Sequence, residues 1–228
     1  MTIHVKPLHR LVAAGILMAG LICTAGAAPD ADQILKNARM AQVGQERTVK
    51  GHLRVESTGR VAPFTLVMNG DTIAYEFADE TIALRLGENG SQLMEAAGGD
   101  MKKVAPARYD KGVEGTDVTY EDLSLKFLYW TKAKVDGEDK VGLSDCWTLH
   151  LEPGGEASAY ASVELWVDKG RGVFVKGEGF DGKGEEVKEF NVVSFQRDGE
   201  GGWMLKTMRI ETITPGGGET TTYLEIDK

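Results

Sequence analysis

The chain has few of the side chains that build metal, redox or nucleophilic sites. Its 228 residues include two cysteines and four histidines. The sequence contains no H-x-x-H, C-x-x-C or H-E-x-x-H spacing for zinc and no G-x-S-x-G motif for a hydrolase nucleophile. These absences predict a protein that is not an enzyme and that holds no metal and no cofactor. A chain with 35 Asp and Glu residues always contains carboxylate pairs, so a glycosidase-like pair stays open on sequence alone.

One glycine motif of the nucleotide-binding type is present, GEGFDG at residues 177–182. A dinucleotide site needs a helix directly after this motif, because the helix N-terminus binds the pyrophosphate. Here the following residues, 183–190 (KGEEVKEF), favour a strand, and the kinase motifs H-R-D and D-F-G are missing. The motif therefore predicts a turn built on DGKG at residues 181–184.

Basic residues are outnumbered, with 26 Lys and Arg against 35 Asp and Glu and a net charge of −9. An acidic surface repels nucleic acid and anionic lipid headgroups by Coulomb repulsion. We therefore expect no nucleic-acid partner.

The first 27 residues have the order of a cleavable secretory signal peptide. Lys6 and Arg10 form a basic start, residues 11–23 are apolar, and AGA at residues 25–27 is a small-x-small cleavage site. The apolar run is too short to span a bilayer, which takes about 20 residues. We expect cleavage after about Ala27, export to the periplasm and one domain over residues 28–228. Cys23 is then lost, and Cys146, in an alternating strand pattern, is expected to be a buried small residue.

Only two segments have helical spacing. Residues 31–45 (ADQILKNARMAQVGQ) have one apolar stripe, and residues 120–132 (YEDLSLKFLYWTK) are apolar on more than one side. Thr119 followed by Asp122 predicts a capping box at the start of the second helix. A helix that is apolar all round must be buried or must cover something, so the second helix is a candidate lid.

The rest of the chain alternates like strands separated by turns. Asn69-Gly70 between two alternating runs predicts a hairpin, and strands then recur about every ten residues. Connections this short predict an antiparallel meander, since parallel crossovers need a dozen residues or more. A sheet of about ten strands has exposed edges, and curling into a barrel or half-barrel removes them. Residues 98–116 have no pattern and predict a mobile loop.

Several strands place apolar side chains on one face. Alternate residues of a strand share a face, so these residues form either an ordinary core or the lining of a cavity for an acyl chain. Periodicity does not separate a filled barrel from a hollow one. The candidate cavity or lid residues are Phe64, Leu66, Met68, Tyr75, Phe77, Leu84, Phe127, Trp130, Met204 and Met208.

The order of several short motifs resembles that of the outer-membrane lipoprotein-sorting (LolA-like) superfamily, over most of the chain after the leader. Upstream, residues 34–44 resemble its N-terminal helix and VTYEDL at 118–123 the start of its internal helix. The downstream motifs are YASVELWVD (160–168), VFVKGEGFDGKG (173–184), VKEF (187–190), WMLKTM (203–208) and GETTTYLEI (218–226).

The resemblance implies a mainly β fold, a half-open antiparallel β-barrel with a helical lid, and a hydrophobic cavity for lipid or lipoprotein acyl chains. In the best-known carrier of this superfamily an arginine inside the barrel holds the lid closed. No position here matches that arginine by motif, and Arg54, Arg60 and Arg85 are candidates by strand placement alone.

The sequence thus predicts a monomeric periplasmic carrier of lipids or lipoproteins that works with a membrane transporter or acceptor protein. The alternative is a periplasmic sensor or accessory protein that binds a protein partner through the same fold.

Overall fold

The computed structural model describes residues 30–40, 46–87, 90–197, 203–214 and 216–227. The expected leader, 1–27, lies outside them. Two α-helices are present in the described residues, α1 (Ala31–Met40) and α2 (Tyr120–Ser124). The strands are β1 (Arg47–Val55), β2 (Val61–Asn69), β3 (Thr72–Glu76), β4 (Thr81–Gly87), β5 (Gly90–Ala96), β6 (Lys102–Lys103), β7 (Lys132–Val141), β8 (Ser144–Glu152), β9 (Ser162–Asp168), β10 (Phe174–Phe180), β11 (Glu186–Arg197), β12 (Trp203–Thr214) and β13 (Gly218–Ile226).

All thirteen strands form one antiparallel sheet, as the alternating pattern predicts. The order is β6-β5-β4-β3-β2-β1-β13-β12-β11-β10-β9-β8-β7. The sheet is therefore two meanders rather than the single meander that we expected. The first and last strands join them, with Gly51 opposite Ile226 and Val55 opposite Thr222. The sheet is open, with β6 and β7 as its two edges among the described strands.

The segment between β6 and β7, residues 104–131, connects opposite edges of the sheet, and we call it the crossing segment. It contains α2 and two short 3-10 turns, Pro106–Arg108 and Lys126–Tyr129. The crossing segment runs across one face of the sheet, and its buried side chains belong to the hydrophobic core on that face. We call this face of the sheet the inner face.

The inner face receives every second side chain of the strands. Leu149 and Leu151 of β8 are fully buried, and so are Val163 and Leu165 of β9. One hydrophobic core joins both meanders, the crossing segment and α1, whose apolar stripe contributes Leu35 and other buried residues. Burial on one side of each strand explains why the period-two pattern was visible in the sequence.

The predicted helix over residues 120–132 is wrong in its extent. The capping box forms as predicted, but α2 ends at Ser124, because Leu125 adopts a left-handed conformation with φ of 47°. A 3-10 turn follows, and Lys132 already begins β7. Of the other predicted helix, residues 41–45 lie outside the described part of the chain. No helix within the described residues is long and apolar enough to span a bilayer.

Residues 98–116, predicted as a mobile loop, hold more structure than expected. They include β6 and the turn Pro106–Arg108, and they bury Val104, Tyr109 and Val113 in the core. These side chains are too far apart in sequence to show a period.

The glycine motif of residues 177–182 lies in β10 and the turn that follows it, as predicted. Asp181 accepts hydrogen bonds from the backbone of Lys183 and Glu185, which forms the turn. Gly179 has a packing role, since a Cβ there would lie 2.7 Å from the ring of Tyr160.

Candidate functional site

An apolar cavity lies between α2 and the inner face at the junction of the two meanders. Its volume is about 60 Å³. Strands β2, β3, β12 and β13 form one wall, and the end of α2 forms the other. The lining residues are Leu66, Met68, Ile73, Tyr75, Leu123, Ser124, Leu125, Met204, Leu205, Leu224 and Ile226.

Four of the ten residues proposed from the sequence line this cavity: Leu66, Met68, Tyr75 and Met204. The other six are buried in the hydrophobic core without lining it: Phe64, Phe77, Leu84, Phe127, Trp130 and Met208. Phe127, for example, packs against Phe190 with ring centroids 5.4 Å apart. Seven lining residues were missed, and the alternation that put Ile73, Leu224 and Ile226 on the inner face could have found three of them.

The cavity is small for an acyl chain. Its volume of about 60 Å³ is several times smaller than that of pockets for organic ligands, which measure about 300–1,000 Å³. The sheet is therefore largely filled at this point. A long-chain ligand requires the wall to move.

The segment that closes the cavity is fixed by local sequence signals. The Thr119 hydroxyl accepts a hydrogen bond from the backbone N–H of Asp122, whose carboxylate accepts one from the Thr119 N–H at 2.8 Å. This capping box satisfies two of the orphan N–H groups at the helix start. The left-handed Leu125 then turns the chain, so Leu123 and Leu125 both face the cavity.

The opposite side of α2 is held by buried charges. The Lys188 ammonium on β11 lies 2.8 Å from the Asp122 carboxylate, and the two side chains are 5% and 0% exposed. Tyr160 donates a hydrogen bond to the same carboxylate. Lys188 also donates to the Thr212 hydroxyl at 2.7 Å. A buried charge needs this full set of partners, because desolvation is otherwise too costly.

Glu121, the neighbour of Asp122, is fully buried as well. Its carboxylate accepts hydrogen bonds from the Ser158 hydroxyl and the Ala159 N–H, both at 2.6 Å. Burial raises the pKa of Glu121 to about 7, and these hydrogen bonds and the nearby Lys126 oppose the rise. The side chain therefore ties the loop between β8 and β9 to α2.

Asp117, just before α2, fastens the crossing segment to the second meander. Its carboxylate accepts hydrogen bonds from the hydroxyls of Thr220 and Thr222 on β13. Burial favours a higher pKa for Asp117, but these hydroxyl contacts outweigh it and lower the pKa. The crossing segment is thus anchored by charge on both sides of the Thr119 cap.

The arginines proposed from strand placement do not reach the buried part of the crossing segment. Arg54 pairs with Glu225 at 3.0 Å, Arg85 is exposed, and Arg60 is exposed beside Gly115. Arg39 of α1 instead donates hydrogen bonds to the carbonyls of Leu128 and, at 3.5 Å, Trp130. Arg39 carries no signal of this role in the sequence, because a basic residue in the last turn of a helix is usually explained by the helix dipole.

Three potential metal ligands meet on the outer face of β7, β8 and β9. Ligand atoms of Asp136, His150 and Glu164 lie within 4.8 Å of one another. These groups already have partners, since Lys134 lies 2.9 Å from Asp136 and the His150 ring bonds Glu164. A closed zinc site takes four ligands. We assign no metal role to this cluster.

The comparisons with known proteins concern family and fold. A family model with the description "-like: Uncharacterized protein" matches residues 96–228, more than half of the chain. No curated protein matches the chain.

Three solved structures are similar over nearly the whole chain. A DUF1329 family protein from Desulfovibrio piger is 18% identical, with a TM-score of 0.66 over 87% of this chain and 91% of that chain. An outer membrane lipoprotein-sorting protein domain from Vibrio parahaemolyticus is 15% identical, with a TM-score of 0.65 over 87% and 90%. A LolA superfamily protein from Nitrosomonas europaea is 15% identical, with a TM-score of 0.68 over 88% and 93%. At these identities the similarity shows a common fold.

Proposed function

Because the chain belongs to the family whose model matches residues 96–228 and has a LolA-like fold, we propose that it is a periplasmic carrier of lipids or lipoproteins. In this proposal the leader is cleaved after about Ala27, and residues 28–228 fold as one domain. The open sheet acts as a half-open barrel, and acyl chains enter the apolar cavity beneath α2. The carrier works as a monomer with a membrane transporter or acceptor protein.

The composition of the cavity is the observation that carries the proposal. Its lining is aliphatic and thioether side chains, with Tyr75 and Ser124 as the polar members. Each methylene that leaves water contributes about 0.8 kcal/mol, so an acyl chain gains affinity there without polar contacts. The Vibrio structure of the same fold is described as an outer membrane lipoprotein-sorting protein domain, and lipoproteins are among the cargo proposed here.

Loading requires the cavity to widen, and two methionines are the parts of the wall that move most easily. Met68 on β2 and Met204 on β12 are only partly buried, and both line the cavity. Methionine is unbranched and adapts to irregular contacts. We therefore expect the cargo to enter between these methionines and Leu125, with the charged side of α2 unmoved.

The test replaces one wall methionine by a larger ring. Met204→Phe fills the cavity, and we expect binding of a fluorescent fatty acid to weaken about tenfold while the free energy of unfolding changes by less than about 1.5 kcal/mol. Met101→Phe is the matched control, because Met101 is an exposed methionine that does not line the cavity.

Lipid extraction from wild-type protein purified out of the periplasm completes the test. Acyl chains in the extract of the wild type, reduced in Met204→Phe, support the carrier. A co-purifying protein without lipid, together with fatty-acid binding that is equal in all three proteins, contradicts it and favours the sensor or accessory protein.

A further inference from the structure

One hydroxyl in the wall of the apolar cavity has no hydrogen-bond partner. The polar side chains among the lining residues are those of Tyr75 and Ser124. The Ser124 hydroxyl donates a hydrogen bond to the backbone carbonyl of Glu121 at 2.9 Å. The Tyr75 hydroxyl makes no hydrogen bond with any residue in the part of the chain that the structure describes. Tyr75 therefore brings to the cavity a donor that lacks an acceptor.

The position of Tyr75 is fixed by its neighbours. On β3 it lies opposite Leu66 of β2 and Ile82 of β4. Its ring packs edge-on against Phe64, with ring centroids 5.2 Å apart, and the residue is 8% exposed. Burial, together with the nearby Tyr129, raises the pKa of Tyr75, so the hydroxyl keeps its proton. The cavity thus has a hydrogen-bond donor that is already oriented before a ligand arrives, which lowers the entropic cost of binding.

Tyr129 has a second hydroxyl without a partner, and the two tyrosines differ in access. The Tyr129 hydroxyl is shielded from solvent, and Tyr129 does not line the cavity. The Tyr75 hydroxyl is not among the shielded polar atoms, and Tyr75 does line the cavity. Of these two hydroxyls, the one on Tyr75 is therefore the one that a ligand in the cavity can contact.

The free hydroxyl limits which ligands fit the cavity well. A plain hydrocarbon chain that fills the cavity separates the Tyr75 hydroxyl from water without giving it an acceptor, and such burial is costly. A ligand oxygen at this point removes the cost. The lining contains no charged side chain, so a carboxylate there has no counter-charge, whereas a neutral carbonyl oxygen needs none.

We propose that Tyr75 donates a hydrogen bond to the ester carbonyl of the bound acyl chain, and that the cavity therefore takes ester-linked chains in preference to ether-linked ones. This inference rests on the proposed carrier function and names the chemical class of its cargo. The ester carbonyl lies at the junction of the chain and the head group. The contact with Tyr75 therefore also sets how deeply the chain enters.

The experiment compares two lysophosphatidylcholines by isothermal titration below their micelle concentrations, one with an ester-linked dodecanoyl chain and one with an ether-linked dodecyl chain. Both have the same head group and the same number of chain carbons. We expect the ester to bind the wild-type protein about tenfold more tightly, because its carbonyl accepts the hydrogen bond of Tyr75. Transfer into an apolar cavity alone gives the opposite order, since the ether has no carbonyl to desolvate.

Tyr75→Phe removes the hydroxyl and keeps the ring. We expect the ester to bind this variant about tenfold more weakly and the ether to bind it equally or more tightly, so that the preference disappears or reverses. Tyr129→Phe is the matched control, because it removes a hydroxyl that does not line the cavity, and the preference for the ester should persist. Tyr75→Phe should leave the midpoint of thermal unfolding unchanged or higher, since the lost hydroxyl has no partner in the folded protein. This readout separates a loss of binding from misfolding.

The other outcomes contradict the proposal in different ways. Equal affinity of the wild type for the two lipids overturns the ester contact and leaves the carrier proposal standing. Equal losses of both lipids in Tyr75→Phe show an effect on packing and overturn the contact, as does a loss of preference in Tyr129→Phe of the same size as in Tyr75→Phe. Absence of binding of either lipid to the wild type overturns the carrier proposal and the ester contact together.

Discussion

The two sides of α2 are held in place by different chemistry. On one side Asp122 and Glu121 are buried among a lysine, a tyrosine, hydroxyls and backbone N–H groups. On the other side Leu123 and Leu125 face an incompletely filled apolar cavity. We call these the charged side and the apolar side of α2.

The difference indicates which side opens. Moving the charged side leaves an unpaired buried charge, at a cost of about 3–5 kcal/mol. Moving the apolar side exposes aliphatic area, at about 25 cal/mol per Å², and an incoming acyl chain recovers that area. For the carrier proposed above, this arrangement predicts that α2 stays fixed at Asp122 and that cargo enters past Leu125.

The largest expected effect comes from removing the cation of the charged side. Lys188→Met leaves the Asp122 charge without its ion-pair partner, so we expect the free energy of unfolding to fall by about 3–5 kcal/mol in urea titrations. Lys183→Met, at an exposed turn of the same hairpin, is the matched control. A loss below about 1 kcal/mol in Lys188→Met shows that the charged side is no stronger than the apolar side.

Glu121 gives the charged side a dependence on pH. Its pKa is about 7 in the folded protein, because burial disfavours the charged form, and near 4.5 when unfolded. Between these values the folded state binds a proton that the unfolded state has released, so the contribution of Glu121 to stability falls as pH rises from about 4.5 to 7.

Glu121→Gln removes this titration. We expect the difference in unfolding free energy between the wild type and Glu121→Gln to shift by about 3 kcal/mol in favour of the variant between pH 4 and pH 8. Urea titrations of both proteins across this range measure it, and all other titrations cancel in the difference. Parallel profiles show that Glu121 does not carry a raised pKa.

The smallest effect of the three concerns two glycines of β10. Gly179→Ala places a Cβ 2.7 Å from the Tyr160 ring and displaces the tyrosine that bonds Asp122, at about 1–3 kcal/mol. Gly177→Ala is the matched control, because its nearest neighbour would be at 3.6 Å, an ordinary contact. The measurement is the midpoint of thermal unfolding of both variants, and we expect a lower midpoint for Gly179→Ala than for Gly177→Ala. Equal midpoints show that Tyr160 is not held by Gly179.

Most strands could be predicted from the sequence, because burial on one face leaves a period of two. The runs that became β2, β4, β9 and β12 show this. β5 was missed, since Gly90–Ala96 carries Leu93 and Met94 side by side and both are buried. The first and last strands, β1 and β13, alternate like the others, but alternation within each strand does not predict that the two strands pair with each other.

The charged side of α2 could not be predicted. Asp122 was assigned as a cap from its spacing to Thr119, but its partners are distant in sequence, Tyr160 in the loop before β9 and Lys188 on β11. A charged residue in a sequence is usually solvated, so Glu121 and Lys126 gave no signal of burial. The break at Leu125 was also hidden, because a non-glycine residue in the left-handed region has no sequence marker.

The pairing of β1 with β13 has a consequence for the order of folding. Each meander forms from hairpins between neighbouring strands, but their junction requires residues 51–55 to meet residues 222–226. A contact between such distant positions forms slowly, because a long loop must close first. The apolar cavity lies at this junction, with walls from β2 and β3 on one side and β12 and β13 on the other. The apolar cavity is therefore complete only after the last strand has docked, which makes it one of the last features of the fold to form.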